Sequence, residues 1–141
     1  MQISARNQLE VKIAKIKEGA VNSEIIANLG DGSTLCAQIT LKSQQNFELE
    51  VGDDAIFIFK APNVIVAKYA QLKISVPNQL KVKISEIKIG AVNSEIIAKI
   101  GDYELCAIIT NDSVKNLDLK NGDEVLFLVN PSDIIVLKKD K

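Results

Sequence analysis

Gly19-Ala20-Val21-Asn22-Ser23-Glu24-Ile25-Ile26-Ala27 occurs a second time, without a single change, as Gly90-Ala91-Val92-Asn93-Ser94-Glu95-Ile96-Ile97-Ala98. Working outward from this nonapeptide, 3–30 realigns on 74–101 at an offset of 71, with 20 of 28 positions identical. One residue then drops out where Gly30-Asp31-Gly32-Ser33 becomes Gly101-Asp102-Tyr103. Beyond it the offset is 70, pairing Leu35-Cys36-Ala37 with Leu105-Cys106-Ala107 and Gly52-Asp53 with Gly122-Asp123. A deletion confined to a Gly-Asp turn is what a tight hairpin tolerates, because loop length can vary while strand register cannot. The 141 residues are therefore two copies of one small unit, and two copies are too few for a solenoid. We expect a first barrel over 1–68, a short linker at 69–73 and a second barrel over 74–141. The linker holds no Gly, Pro or Ser, which implies lobes held close together.

Within one unit the pattern has mostly period two. Leu9, Val11 and Ile13 alternate with Glu10, Lys12 and Ala14, which predicts a long strand with one apolar face. Turns at Glu18-Gly19 and Gly30-Asp31-Gly32 lead into strands over Ser23–Leu29 and Thr34–Ile39. Asp53–Phe59 and Val64–Ala67 read as a fourth and a fifth strand, separated by Ala61-Pro62-Asn63. Leu41–Leu49 breaks the alternation and reads as a short helix, with Thr40 or Ser43 as its N-cap. The expected fold class is all-β: a tandem pair of small five-stranded, OB-like Greek-key barrels, each with one short helix. Barrels this small barely close their own cores, so burial against the twin or other chains is expected.

Composition removes most chemistries. The chain has no histidine, so it has no Ser-His-Asp or Cys-His machinery and no His-ligated metal. Seventeen basic residues against 18 acidic ones, with only two Tyr and four Phe, argue against a nucleic-acid-binding surface. No apolar run approaches the ~18 residues of a membrane span, and no signal-peptide pattern opens the chain. With two cysteines, the expected setting is a reducing cytoplasm. Asp53-Asp54 and Asp123-Glu124 read as solvated turn formers. Glu24 and Glu95 are expected to face solvent or a subunit contact, and Cys36 and Cys106 to be small buried hydrophobes without a bridge between them. No enzymatic activity, metal site or cofactor is expected.

The cations carry the remaining information. Sixteen of the 17 are lysine; the one arginine is Arg6, in Ser4-Ala5-Arg6-Asn7. A planar, five-donor guanidinium suits an oxyanion better than an ammonium does. Thr40-Leu41-Lys42-Ser43 sets two hydroxyls at a helix start, Lys60-Ala61-Pro62-Asn63 sets a lysine at an irregular bend, and Gly19-Ala20-Val21-Asn22 presents amides at a turn. Donors of this kind, with no carboxylate cluster, describe a receptor for a small anion.

These four motifs, in this order over about 66 residues, resemble the molbindin (Mop) domain, and the tandem arrangement resembles the di-domain molbindins. The resemblance implies a cytoplasmic, non-catalytic protein that stores or buffers molybdate, or tungstate. Its partners would be other copies of the chain around a threefold axis, with the anion bound between subunits, and neither nucleic acid nor membrane. One type of family site implicates Ser4, Ala5, Arg6, Thr40, Ser43, Lys60 and Ala61. Another, near the axis, implicates Val21, Asn22 and Ser23 with Val92, Asn93 and Ser94. The second copy departs from the pattern: it reads Ser75-Val76-Pro77-Asn78, Asn130-Pro131 and Asn111-Asp112, losing both cations and adding a carboxylate. Losing two charge-assisted contacts at about 1.5–3 kcal/mol each disfavours a dianion there. Unequal lobes are therefore expected, with hybrid sites combining Arg6 with Thr110 and Ser113 as a rescue. The alternative is an oxyanion-sensing module acting on a separate partner protein.

Overall fold

A computed structural model describes residues 3–68 and 73–139. Of the expected 69–73 linker, 69–72 lie outside the described residues. The first half runs β1 (Asn7–Glu18), β2 (Asn22–Asn28), β3 (Thr34–Thr40), α1 (Leu41–Asn46), β4 (Asp54–Phe59), a 3₁₀ turn (Ala61–Asn63) and β5 (Ile65–Ala67). The second repeats it as β6 (Asn78–Ile89), β7 (Asn93–Ile100), β8 (Tyr103–Thr110), α2 (Asn111–Asn116), β9 (Glu124–Val129), a 3₁₀ turn (Pro131–Asp133) and β10 (Ile135–Lys138). The all-β reading and the five-strands-plus-helix plan hold in both halves.

Two local differences from the periodicity have physical causes. β1 buries Leu9, Val11 and Ile13, but a bulge between Ile13 and Lys15 resets its alternation, so that Ile16 packs on the core and Lys15 is exposed. α1 stops at Asn46, three residues before the expected Leu49, because Glu48 takes a left-handed φ of 52° that no α-helix continues through. Its N-cap is Thr40, whose side-chain oxygen accepts from the Ser43 amide.

The larger difference concerns the fifth strands. β5 does not join the sheet of its own half; it pairs with β9, Val66 opposite Phe127. β10 crosses the other way and pairs with β4, Val136 opposite Phe57. The two curled sheets are therefore ordered β10-β4-β1-β2-β3 and β5-β9-β6-β7-β8, each borrowing one edge strand from the other repeat. The borrowed strand also packs against the opposite edge, β10 on β3 and β5 on β8, which closes each barrel. The expected fifth strands exist, but each completes the other barrel.

Strand exchange fuses the interiors. One continuous apolar core contains Leu9, Ile25 and Phe57 of the first half and Leu80, Ile96 and Phe127 of the second. Polar contacts follow the same approximate twofold. Lys68 donates to the carbonyls of Leu117 and Asp118 at the end of α2 (both 2.8 Å), and Lys138 to that of Glu48 at the end of α1 (3.0 Å). Each ammonium thus ties down the turn that follows the helix of the opposite half.

Candidate functional site

Arg6 immediately precedes β1, and Lys60 immediately follows β4. In the β1–β4 ladder Asn7 lies opposite Phe59, so the backbone positions of Arg6 and Lys60 flank the same end of the pair. Both heads are exposed while their neighbours Ala5 and Ala61 are buried, anchoring the backbone beneath them. Ala61 packs among Ile97, Cys106 and half-buried Ile108, residues of β7 and β8. The cations of the first half are thereby delivered onto the second half.

Asn7 fixes this placement. It is 1% exposed, and its amide donates to the Cys106 carbonyl while accepting from the Cys106 N–H, both at 2.8 Å. Asn78 makes the same pair of bonds to Cys36, at 2.7 and 2.8 Å. Of the tetrapeptides at 4–7 and 75–78, serine and asparagine survive in both copies, and the asparagine is the clasp between the halves. Sequence reading singled out the arginine beside it and missed the asparagine, although its retention in the second copy was a usable signal.

Arg6 reaches across this seam: Nη1 donates to Glu95 Oε1 of β7 at 3.1 Å. That bond, reinforced by the nearby acidic groups, holds the guanidinium still more firmly protonated than usual. Burial pushes the thiols of Cys36 and Cys106 above the ordinary thiol range, and both are free cysteines. In the second half Pro77 and Asn130 occupy the places of Arg6 and Lys60, so the seam carries two cations on one side and none at the equivalent positions on the other.

The hydroxyl pair lies elsewhere. Thr40 Oγ1 donates to Ser43 Oγ at 2.9 Å and accepts from the Ser43 N–H at 3.1 Å. The Leu41 amide donates to Val21 O at 2.7 Å, so two of the first three helical amides are already used within the chain. A six-residue helix with its amides so committed contributes little anion attraction of its own. Thr40 and Ser43 border an open hollow that includes Asn22 and Phe47 and, from the second half, Ser132 and Ile135. Thr110 and Ser113 repeat the hydroxyl geometry at 2.9 Å. Thr110 ends β8, the strand on which the 3₁₀ turn after Lys60 packs.

The seven residues implicated in one type of site fall into two groups within one chain, and the resemblance places that site between subunits. Arg6 and Ala61 contact β7 and β8, with Ser4, Ala5 and Lys60 adjoining them in sequence, whereas Thr40 and Ser43 face the turn at Pro131–Asp133.

The repeated turns are held by Gly19 N–H to Asn22 O (2.8 Å) and Gly90 N–H to Asn93 O (2.9 Å). Val21, Asn22, Val92 and Asn93 are exposed on them. Ser23 and Ser94 are not available in the way expected. Both are at most 1% exposed, and their hydroxyls donate inward to Gln44 Oε1 (2.8 Å) and to Asn111 Oδ1 (2.5 Å). Period two explains this, since the residue after an exposed Asn must face in. Among the described residues no group of acidic and thiol side chains could hold a metal ion, and no helix is long and apolar enough to cross a membrane.

Comparison with known proteins adds to this geometry. A family model described as the TOBE domain matches 3–66 and again 74–136. A solved structure of the cytoplasmic molybdate-binding protein ModG, with molybdate bound, superposes with a TM-score of 0.91 at 32% identity, over 97% of this chain and 99% of that one. The molybdenum-pterin-binding protein MopA of Rhodobacter capsulatus is 33% identical over 138 residues, covering 96% of this chain and 52% of MopA. The molybdenum transport protein ModE of Azotobacter vinelandii is 29% identical over 137 residues, covering 96% of this chain and 51% of ModE. The chain spans about half the length of these two relatives.

Proposed function

The chain belongs to the TOBE-domain family through both of its halves, as a di-domain molbindin, and on that premise we propose that it binds molybdate, or tungstate, as an intact dianion for intracellular storage. Proteins of this kind bind and do not catalyse; the oxyanion is a ligand, not a catalytic cofactor. The observation that carries the reading is that Arg6 and Lys60 flank the paired residues Asn7 and Phe59 at one end of the β1–β4 ladder, next to buried Ala61. Two adjacent cations with a guanidinium fork match a tetrahedral dianion in charge and donor geometry.

Ser4, Ala5, Arg6, Lys60 and Ala61 form the strong group in this proposal. Thr110, at the end of β8, and Ser113, in the first turn of α2, complete it as a hybrid of the two halves. Thr40 and Ser43 face a turn that carries Asp133 and follows Asn130 in the place of Lys60, and they serve a weaker site. The repeated turns, through Val21, Asn22, Val92 and Asn93, serve a contact between copies of the chain. Val21 and Val92 are 72% and 71% exposed, an unusual cost for two valines that association of chains into a homotrimer relieves.

Calorimetric titration with molybdate, tungstate and sulfate tests this. Arg6→Ala and Lys60→Ala are each expected to weaken the tightest molybdate site by about 10–100-fold, from the ~1.5–3 kcal/mol of a charge-assisted bond. Equal tight sites in both halves, or an unchanged isotherm in Arg6→Ala, would count against it. A second reading, an oxyanion sensor acting on a separate partner, is favoured by the match to ModE along both halves. Partner capture that depends on molybdate would select it over storage.

A further inference from the structure

We propose that Glu95 is an internal competitor for the oxyanion, occupying the only arginine of the chain until an anion displaces it. The inference rests on the Arg6 reading above and extends it to a residue that the anion itself need not touch.

Arg6 donates to Glu95 Oε1 at 3.1 Å, with the two side chains 46% and 35% exposed. The partners come from opposite halves and are 89 residues apart in sequence, so only the exchanged fold brings them together. A carboxylate and an oxyanion ask the same of a guanidinium: two oxygens in a plane, accepting from its fork. They cannot both be served by the same N–H groups.

The surroundings favour exchange over a permanent pair. Glu104 of β8 also lies within electrostatic reach of Arg6, while Lys88 of β6 lies opposite Glu95 in the ladder. A half-exposed pair of this kind is only marginally stable, and Glu95 has a ready alternative in Lys88 or in water. A dianion held by both Arg6 and Lys60 therefore outcompetes it. The corresponding positions across the seam are Glu24 and Pro77; there a carboxylate is present with no arginine to occupy. Glu95 thus lowers affinity where the cations are, setting the anion concentration at which the site fills.

The test is molybdate titration of Glu95→Gln, Glu24→Gln, Arg6→Ala and the double variant Arg6→Ala/Glu95→Gln, each in the full chain. Removing the competing charge while keeping the side-chain shape is expected to tighten molybdate binding by about two- to tenfold. Glu24→Gln is expected to leave the tight site unchanged. The gain from Glu95→Gln is expected to vanish when Arg6 is already alanine. Weaker or unchanged binding in Glu95→Gln overturns the proposal, since it would mean that Glu95 positions Arg6 or is idle. An equal gain from Glu24→Gln, or a gain that survives loss of Arg6, also overturns it by showing general charge relief. If Arg6→Ala alone leaves binding intact, the underlying site reading fails as well, an outcome distinct from all the others.

Discussion

At the scale of single residues, Asn7 and Asn78 clasp the two halves together. Each sends one amide across the seam and satisfies both the N–H and the C=O of a cysteine on the other half. Truncation leaves a donor and an acceptor unpaired, and the cost depends on whether water can replace the amide. Cys106 is buried and Cys36 is not fully so. Asn7→Ala should therefore cost about 2–4 kcal/mol in urea unfolding, and Asn78→Ala about 1–2 kcal/mol, the difference measuring solvent access. Equal losses would mean that burial of the cysteine backbone is not what sets the cost. The same residues show where sequence reasoning stops. Arg6 could be picked out because it is unique in composition, and Lys60 because it ends an apolar strand. That Arg6 meets Glu95 could not, since a contact between residues 89 apart depends on which sheet each strand joins.

At the scale of elements, hairpins and helices were legible because local chemistry decides them. Turn glycines, Thr40 as a cap and period-two strands all act within a few residues of themselves. The bulge after Ile13 was not legible, because an extra residue changes which face is buried without changing residue type. The turn of the repeated nonapeptide gives the sharpest local prediction. A Cβ on Gly19 or Gly90 would sit 2.8 or 2.6 Å from the carbonyl oxygen of Asn22 or Asn93, which is the acceptor that closes the turn. Backbone cannot yield there without opening the hydrogen bond from the glycine's own N–H. Gly90→Ala should cost about 1–3 kcal/mol, the range for overpacking against a fixed group. Hydrogen exchange would localise the loss to the β6–β7 hairpin; a uniform loss of protection would contradict a local clash. If the turn serves association between chains, the same variant should also shift the equilibrium towards single chains.

At the scale of the whole molecule, the two repeats share one core, and their boundary in sequence is not their boundary in space. The pattern of Val64–Ala67 and of Ile134–Lys138 says which face each strand buries, but both edge positions accept that pattern equally well. Nothing in periodicity distinguishes the β4 edge from the β9 edge. What favours exchange is physical: β5 and β10 each follow a 3₁₀ turn that packs on the opposite half, so the chain is already across the seam when the strand begins. Each half alone would then hold a five-stranded plan with one edge unfilled and a bare apolar strand. We therefore expect the chain to unfold in a single calorimetric transition, because loss of either barrel removes a strand from the other. Separately expressed 1–68 and 69–141 should combine when mixed into a complex with the mass of one full chain. Each alone should self-pair into dimers through the same exchanged edges, or aggregate. A stable folded monomer of 1–68 in sedimentation would show instead that β5 can turn back onto β4, and that the seam is a contact between two finished domains.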